Sequence, residues 1–101
     1  MSELRVVRHI YVRGNVQGVG FRAFVEHHAL QRGLEGWVRN RRDGSVEAVF
    51  AGPAKSVEGM IAACRVGPLS GRVDALDDSD GTEHDLDLRQ PGEVFSVLHT
   101  V

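Results

Sequence analysis

Residues 14–22 read Gly-Asn-Val-Gln-Gly-Val-Gly-Phe-Arg and separate two segments of different hydrophobic period. Before the run, Arg5 to Arg13 alternates, with Ile10 and Val12 on one face and His9, Tyr11 and Arg13 on the other, which is the period of a strand. After it, Phe21, Phe24, Val25, His28 and Ala29 recur at i, i+3, i+4, i+7 and i+8, one stripe of a helix. A strand that passes into a helix through three glycines can turn tightly and leave its N–H groups unshielded. Such groups, gathered beside a helix N-terminus, attract an anion. Arg22 adds a permanent charge on a flat fork of donors, which suits phosphate. The run is not the nucleotide-triphosphate loop, because no Lys-Ser/Thr follows its last glycine. It is not the dinucleotide fingerprint either, because its spacing is G-x3-G-x-G. Taken alone, it fits a phosphate cradle and a plain glycine turn with a surface arginine equally well.

The rest of the chain alternates strands and helices. Gly33 ends the first helix, with Leu34 placed to pack back on it. Glu35 to Asn40 reads as a second strand, Asp43-Gly44 as a hairpin turn, and Ser45 to Ala51 as a third strand with Val46, Ala48 and Phe50 on one face. Gly52-Pro53 punctuates, with the proline expected at the first position of a helix. Val57, Met60, Ile61 and Cys64 form that helix's apolar stripe, and Gly67-Pro68 ends it. Arg72 to Leu76 is a fourth strand, Asp77 to Gln90 is read mainly as an acidic loop, and Val94 to His99 is a last strand. The order βαββαβ plus a terminal strand predicts an α+β, ferredoxin-like two-layer sandwich, an antiparallel sheet with two helices on one face. With 101 residues, no linker and no repeat, residues 1–101 are expected to form one domain with its own core.

Composition narrows the function classes. One cysteine, Cys64, excludes an internal disulfide and a zinc cluster of cysteines. No apolar run approaches the ~20 residues of a membrane span. The opening Met1-Ser2-Glu3-Leu4-Arg5 carries no apolar leader core, so a cytoplasmic location is expected. Charge is uneven. Residues 1–65 hold ten Lys/Arg against six Asp/Glu, and residues 66–101 hold two Arg against eight Asp/Glu. The glycine run lies in the basic part, which favours a small anionic ligand over a broad nucleic-acid surface.

A second segment, Gly36-Trp37-Val38-Arg39-Asn40-Arg41-Arg42-Asp43-Gly44-Ser45-Val46-Glu47, spans strand, hairpin and strand. Alternation puts Gly36, Val38 and Asn40 on one face, ending a small apolar face in an amide; hairpin chemistry alone would also place an asparagine there. Together the V-Q-G-V-G-F-R loop and the G-W-V-R-N-x-x-D-G-x-V-E hairpin resemble the two signatures of the acylphosphatase family, in order and at matching distance, and the likeness extends over nearly the whole chain. The resemblance implies a small monomeric enzyme. It would hydrolyse the carboxyl–phosphate bond of acyl phosphates to carboxylate and inorganic phosphate, with no metal or organic cofactor. It implies that Arg22 is the phosphate-binding catalytic arginine and that Asn40 orients the attacking water. The backbone of Asn15, Val16, Gln17, Gly18, Val19 and Gly20 would be the phosphate cradle. Its partner would be the small-molecule substrate, not nucleic acid or membrane.

Two rival classes share this architecture. An RNA-binding sheet would need aromatic-rich strands that Arg13 to Gln17 lacks. Acylphosphatase-like domains also open larger carbamoyl-transfer maturation proteins, whose zinc-finger segments are not in this sequence. Asp78-Ser79-Asp80-Gly81 fails as a calcium loop, because Leu76 would occupy the first ligand position. His27 and His28 are adjacent on a helix and cannot share a face, so His28 is read as packing. Cys64, Trp37 and Tyr11 are also read as packing residues. The ending His99-Thr100-Val101 and the acidic stretch 77–87 depart from the family pattern without touching either signature.

Overall fold

The computed structural model describes residues 4–101; residues 1–3, part of the stretch read as leader-free and of the span read as one domain, lie outside the described residues. The elements are β1 (Arg5–Asn15), α1 (Phe21–Gln31), β2 (Glu35–Asn40), β3 (Val46–Pro53), α2 (Ala54–Val66), β4 (Arg72–Asp80), a 3₁₀ helix (Glu83–Leu88) and β5 (Phe95–Val97). They build one sheet in the order β4-β1-β3-β2-β5. Four strands pair antiparallel, as expected. β5 adds in parallel to β2, with Gly36 opposite Phe95 and Val38 opposite Val97. β4 runs opposite to β2, so a chain that reverses once between β4 and β5 re-enters parallel to β2.

Both helices cover one face, as the apolar stripes require. Ile10 and Val12 of β1, Val38 of β2, and Val46, Ala48 and Phe50 of β3 point into one cluster with Val25 and Ala29 of α1 and Val57, Met60, Ile61 and Cys64 of α2. These are the residues that the two periodicities singled out. Burial pushes the Cys64 thiol up to about 12, which keeps it protonated and apolar in behaviour. His28 is half-buried with its ring 4.3 Å from that of Phe24, a packing role as read from sequence. The end of α1 is a complete Schellman motif. Leu34 donates its N–H to the Ala29 carbonyl at 2.9 Å, Gly33 donates to Leu30 at 3.1 Å, and the Leu34 side chain is buried. Pro53 differs from expectation by one position. It keeps an extended ψ of 138°, ends β3 and caps α2, whose first helical residue is Ala54.

The larger correction concerns residues 77–90. The expected acidic loop is structured: β4 continues to Asp80, and Glu83–Leu88 is helical. Ion pairs across the β1–β4 ladder hold the extension, Arg13 with Asp77 and Arg8 with Asp78 and Asp80. A capping box at Thr82 and Asp85 starts the 3₁₀ helix. That helix lies on the face opposite α1 and α2, where Leu86 is buried with Trp37, Val49 and Ala51 in a second small core. Trp37 Nε1 donates to the Asp85 carbonyl at 2.7 Å, tying the segment down. Among the described residues, no helix is long and apolar enough to cross a membrane.

Trp37→Phe keeps most of the packing but leaves the Asp85 carbonyl without its donor. Urea unfolding is expected to show a loss of about 1–3 kcal/mol, with amides 83–88 exchanging faster than those of β1 and β3. Unchanged exchange in that segment would show that the hydrogen bond does not hold it.

Candidate active site

The strand-to-helix turn takes its shape from its glycines. Gly18 and Gly20 sit at φ 73° and 80°, left-handed conformations that a side chain would strain. Gly20 is the N-cap of α1 and carries no side-chain cap, and the helix's first turn has no acidic residue. Among the described residues, no N–H from Val16 to Gly20 finds a protein acceptor. Uncapped amides at the positive end of a helix dipole make an electrostatic seat for an anion.

The turn is braced from two sides. Gln17 Nε2 donates to the Arg41 and Ser45 carbonyls at 2.6 and 2.8 Å, joining the loop to the β2–β3 hairpin. Ser70 Oγ donates to the Val19 carbonyl at 3.1 Å, joining it to the segment after α2. The hairpin has its own lock. Asp43 Oδ1 accepts from the Ser45 N–H and hydroxyl at 2.9 and 2.6 Å, and those bonds lower its carboxyl pKa.

An open cleft of about 390 Å³ lies between the loop, α1 and the ends of β2 and β5. Val16, Gly18 and Gly20 line it together with Arg22 and Asn40, which stand 18 positions apart in sequence. Among the described residues, neither the Arg22 guanidinium nor the Asn40 side chain has a protein partner. Both remain available to a ligand. Of the other expected cradle positions, Asn15 ends β1 opposite Arg72, and Gln17 and Val19 are outside the lining. Four lining residues, Phe21, Ala23, Glu26 and Val97, were not read from the sequence as part of the site. Glu26 follows Arg22 by one helical turn, a spacing that could have flagged it, and Val97 arrives only through the parallel β5. Among the described residues, no three His, Cys, Asp or Glu side chains are grouped to hold a metal ion.

Behind the site, on the helix-free face, Glu47 is 2% exposed yet carries charge. Its Oε1 accepts from Arg39 Nε at 2.8 Å and Arg41 Nη1 at 2.9 Å, and its Oε2 lies 2.6 Å from His9 Nε2. Desolvation would raise its pKa, but the bonds from Arg39, His9 and Arg41 prevail and hold it below the ordinary carboxylate value. Burial, reinforced by the Glu47 charge, raises the Tyr11 hydroxyl pKa.

Known proteins share this sequence and fold. The acylphosphatase family profile matches residues 8–89. An acylphosphatase of Rhodopseudomonas palustris (strain BisB18) is 62% identical over 95% of this chain and 97% of its own length. One from Bradyrhizobium diazoefficiens is 56% identical over 96% of this chain and 98% of its own. The chain belongs to the acylphosphatase family. The crystal structure of acylphosphatase from Bacillus subtilis superposes with a TM-score of 0.79 at 33% identity, covering 94% of this chain and 99% of that one. As an acylphosphatase, the chain is a hydrolase acting on acyl phosphates, and its ferredoxin-like α+β fold is that of its structural relatives.

The lowered Glu47 pKa sets the sign of an acid effect on this acylphosphatase. The unfolded chain takes up the proton near the ordinary value of 4.5 and the folded one only at lower pH. The contribution of Glu47 to stability is therefore complete above pH 4.5 and is lost as pH falls through the folded value. Melting curves between pH 7 and 3 are expected to show a shallower acid decline for Glu47→Gln than for the wild type; identical slopes would remove Glu47 from the acid response.

Proposed function

We propose that the cleft performs cofactor-free hydrolysis of acyl phosphates, with Arg22 and the loop amides holding the phosphoryl group and Asn40 aiming the water. The observation that carries this reading is one cleft lined by a guanidinium and an amide, neither with a partner among the described residues, beside an uncapped helix N-terminus. The backbone from Asn15 to Gly20 and the Arg22 fork would surround the phosphoryl oxygens, where charge develops. The Asn40 side-chain oxygen would accept one hydrogen of a water placed in line with the scissile bond. The water oxygen bonds to phosphorus as the P–O bond to the acyl group breaks, and the carboxylate leaves with the bonding pair. A carboxylate is a good leaving group, so no strong general base is needed; a phosphate oxygen of the substrate takes the proton. The same reading makes residues 1–101 one domain that acts as a cytoplasmic monomer.

Benzoyl phosphate should be hydrolysed at the same rate with and without EDTA. Activity abolished by chelator and restored by a divalent ion would overturn the cofactor-free mechanism.

The two side chains should separate kinetically. Arg22→Ala is expected to lose phosphate inhibition and at least ~10²-fold in turnover, with little recovery in Arg22→Lys, whose ammonium lacks the fork. Asn40→Ala should lose ~10²-fold in turnover while inorganic phosphate still inhibits as in the wild type. Equal losses of phosphate affinity and turnover in the asparagine variant would make Asn40 a phosphate ligand instead.

A further inference from the structure

Both chain neighbours of Asn40 are anchored to the same oxygen atom. Arg39 and Arg41 reach Glu47 Oε1 from either side at 2.8 and 2.9 Å, and Arg39 stands directly opposite Glu47 in the β2–β3 ladder. The Arg39 guanidinium is also held over the Trp37 ring at 4.6 Å, and that of Arg41 lies 5.7 Å from the Tyr11 ring. Arg41 is gripped from the other side as well, because its carbonyl accepts from Gln17. Strand alternation puts Arg39 and Arg41 on the helix-free face and Asn40 on the face of the cleft. The backbone that carries Asn40 is thus fixed before and after it by side chains that never enter the cleft.

We infer that Glu47 is a positioning residue for hydrolysis: from beneath the sheet, it fixes the backbone on both sides of Asn40 and so sets where the amide meets the attacking water. The inference rests on the role proposed for Asn40 above. A carboxylate that only filled space between Tyr11 and Arg39 would be an expensive choice, because removing a charge from water is costly unless donors surround it. Three converging donors offset that cost, and two of them flank the residue whose placement matters. A misplacement of about 1 Å at a reacting group can cost ~10²-fold in rate, so a brace of this kind has a kinetic signature.

A double-mutant cycle on benzoyl phosphate tests it, using Glu47→Gln, Asn40→Ala and the pair, at a temperature where circular dichroism shows each variant folded. Glu47→Gln alone is expected to lower kcat by ~10-fold to ~10²-fold while KM and phosphate inhibition stay within about 2-fold. In the Asn40→Ala background the same change should cost less than about 2-fold, since the group being aimed is gone. If Glu47→Gln does not fold, Arg41→Met replaces it in the cycle. Its side chain is 34% exposed and makes one of the two flanking bonds, so a smaller fall in kcat, suppressed in the same way by Asn40→Ala, is expected. A folded Glu47→Gln enzyme with wild-type kcat, or a loss that multiplies in full in both backgrounds, would overturn the inference and leave the Asn40 assignment intact. A fully active Asn40→Ala enzyme would overturn that assignment and the inference together.

Discussion

Val46 pairs with Val12 of β1 on one side and with Asn40 of β2 on the other. That single register brings the exit of β1, where the glycine loop begins, level with the end of β2, where the water-aiming amide is proposed to sit. Two strand spacings, roughly 10 Å, separate the two positions across the sheet. A slip of one residue in the β2–β3 ladder would turn Asn40 to the other face and empty the cleft of its amide. β3 resists such a slip because Val46 to Gly52 is buried throughout, with its two faces committed to different cores. The central strand is therefore the ruler of the site, although it contributes no side chain to the cleft lining.

Electrostatics follow from the same topology. Read as a sequence, the basic first part of the chain favours a small anionic ligand at the loop. In the fold, β4 lies beside β1, and Arg8 and Arg13 are neutralised by Asp78, Asp80 and Asp77. Arg5 is likewise taken up by Glu35 and Glu83, and both carboxyl pKa values fall through their bonds to it. What remains at the cleft is local: the Arg22 guanidinium, without a partner among the described residues, a helix end without an acidic cap, and Glu26 one turn further along α1. The acidic stretch is thus the counter-charge of β1, which leaves the attraction for an anion concentrated at Arg22.

Legibility of the fold differed by element for physical reasons. The helix stripes, the β1 and β3 alternations, the Gly33 cap and the Asp43-Gly44 turn were readable because each is governed by near neighbours in sequence. Residues 77–90 were not, because their order depends on Arg8, Arg13 and Trp37, more than forty positions away. The capping box of Thr82 and Asp85 stands in a stretch so rich in aspartate that composition alone reads it as a solvated loop. In the site, Arg22 and Asn40 stood out as residue types at odds with their surroundings. Glu26, Val97 and the Glu47 bracket did not, since each acquires meaning only from what the sheet places beside it.

By itself, then, the sequence determined the periodicities, the glycine turn with its arginine, and the hairpin with its asparagine. Those suffice for the fold class, because local backbone sterics dictate them, while the phosphate chemistry is implied by the resemblance of the two signatures to the acylphosphatase family. Only the tertiary structure decided that Val46 would align the loop with Asn40, that β5 would enter in parallel to close the cleft, and that one buried carboxylate would bracket the asparagine from behind. Each of these depends on strand register and on contacts between distant segments, and no local pattern encodes which partner a strand will take.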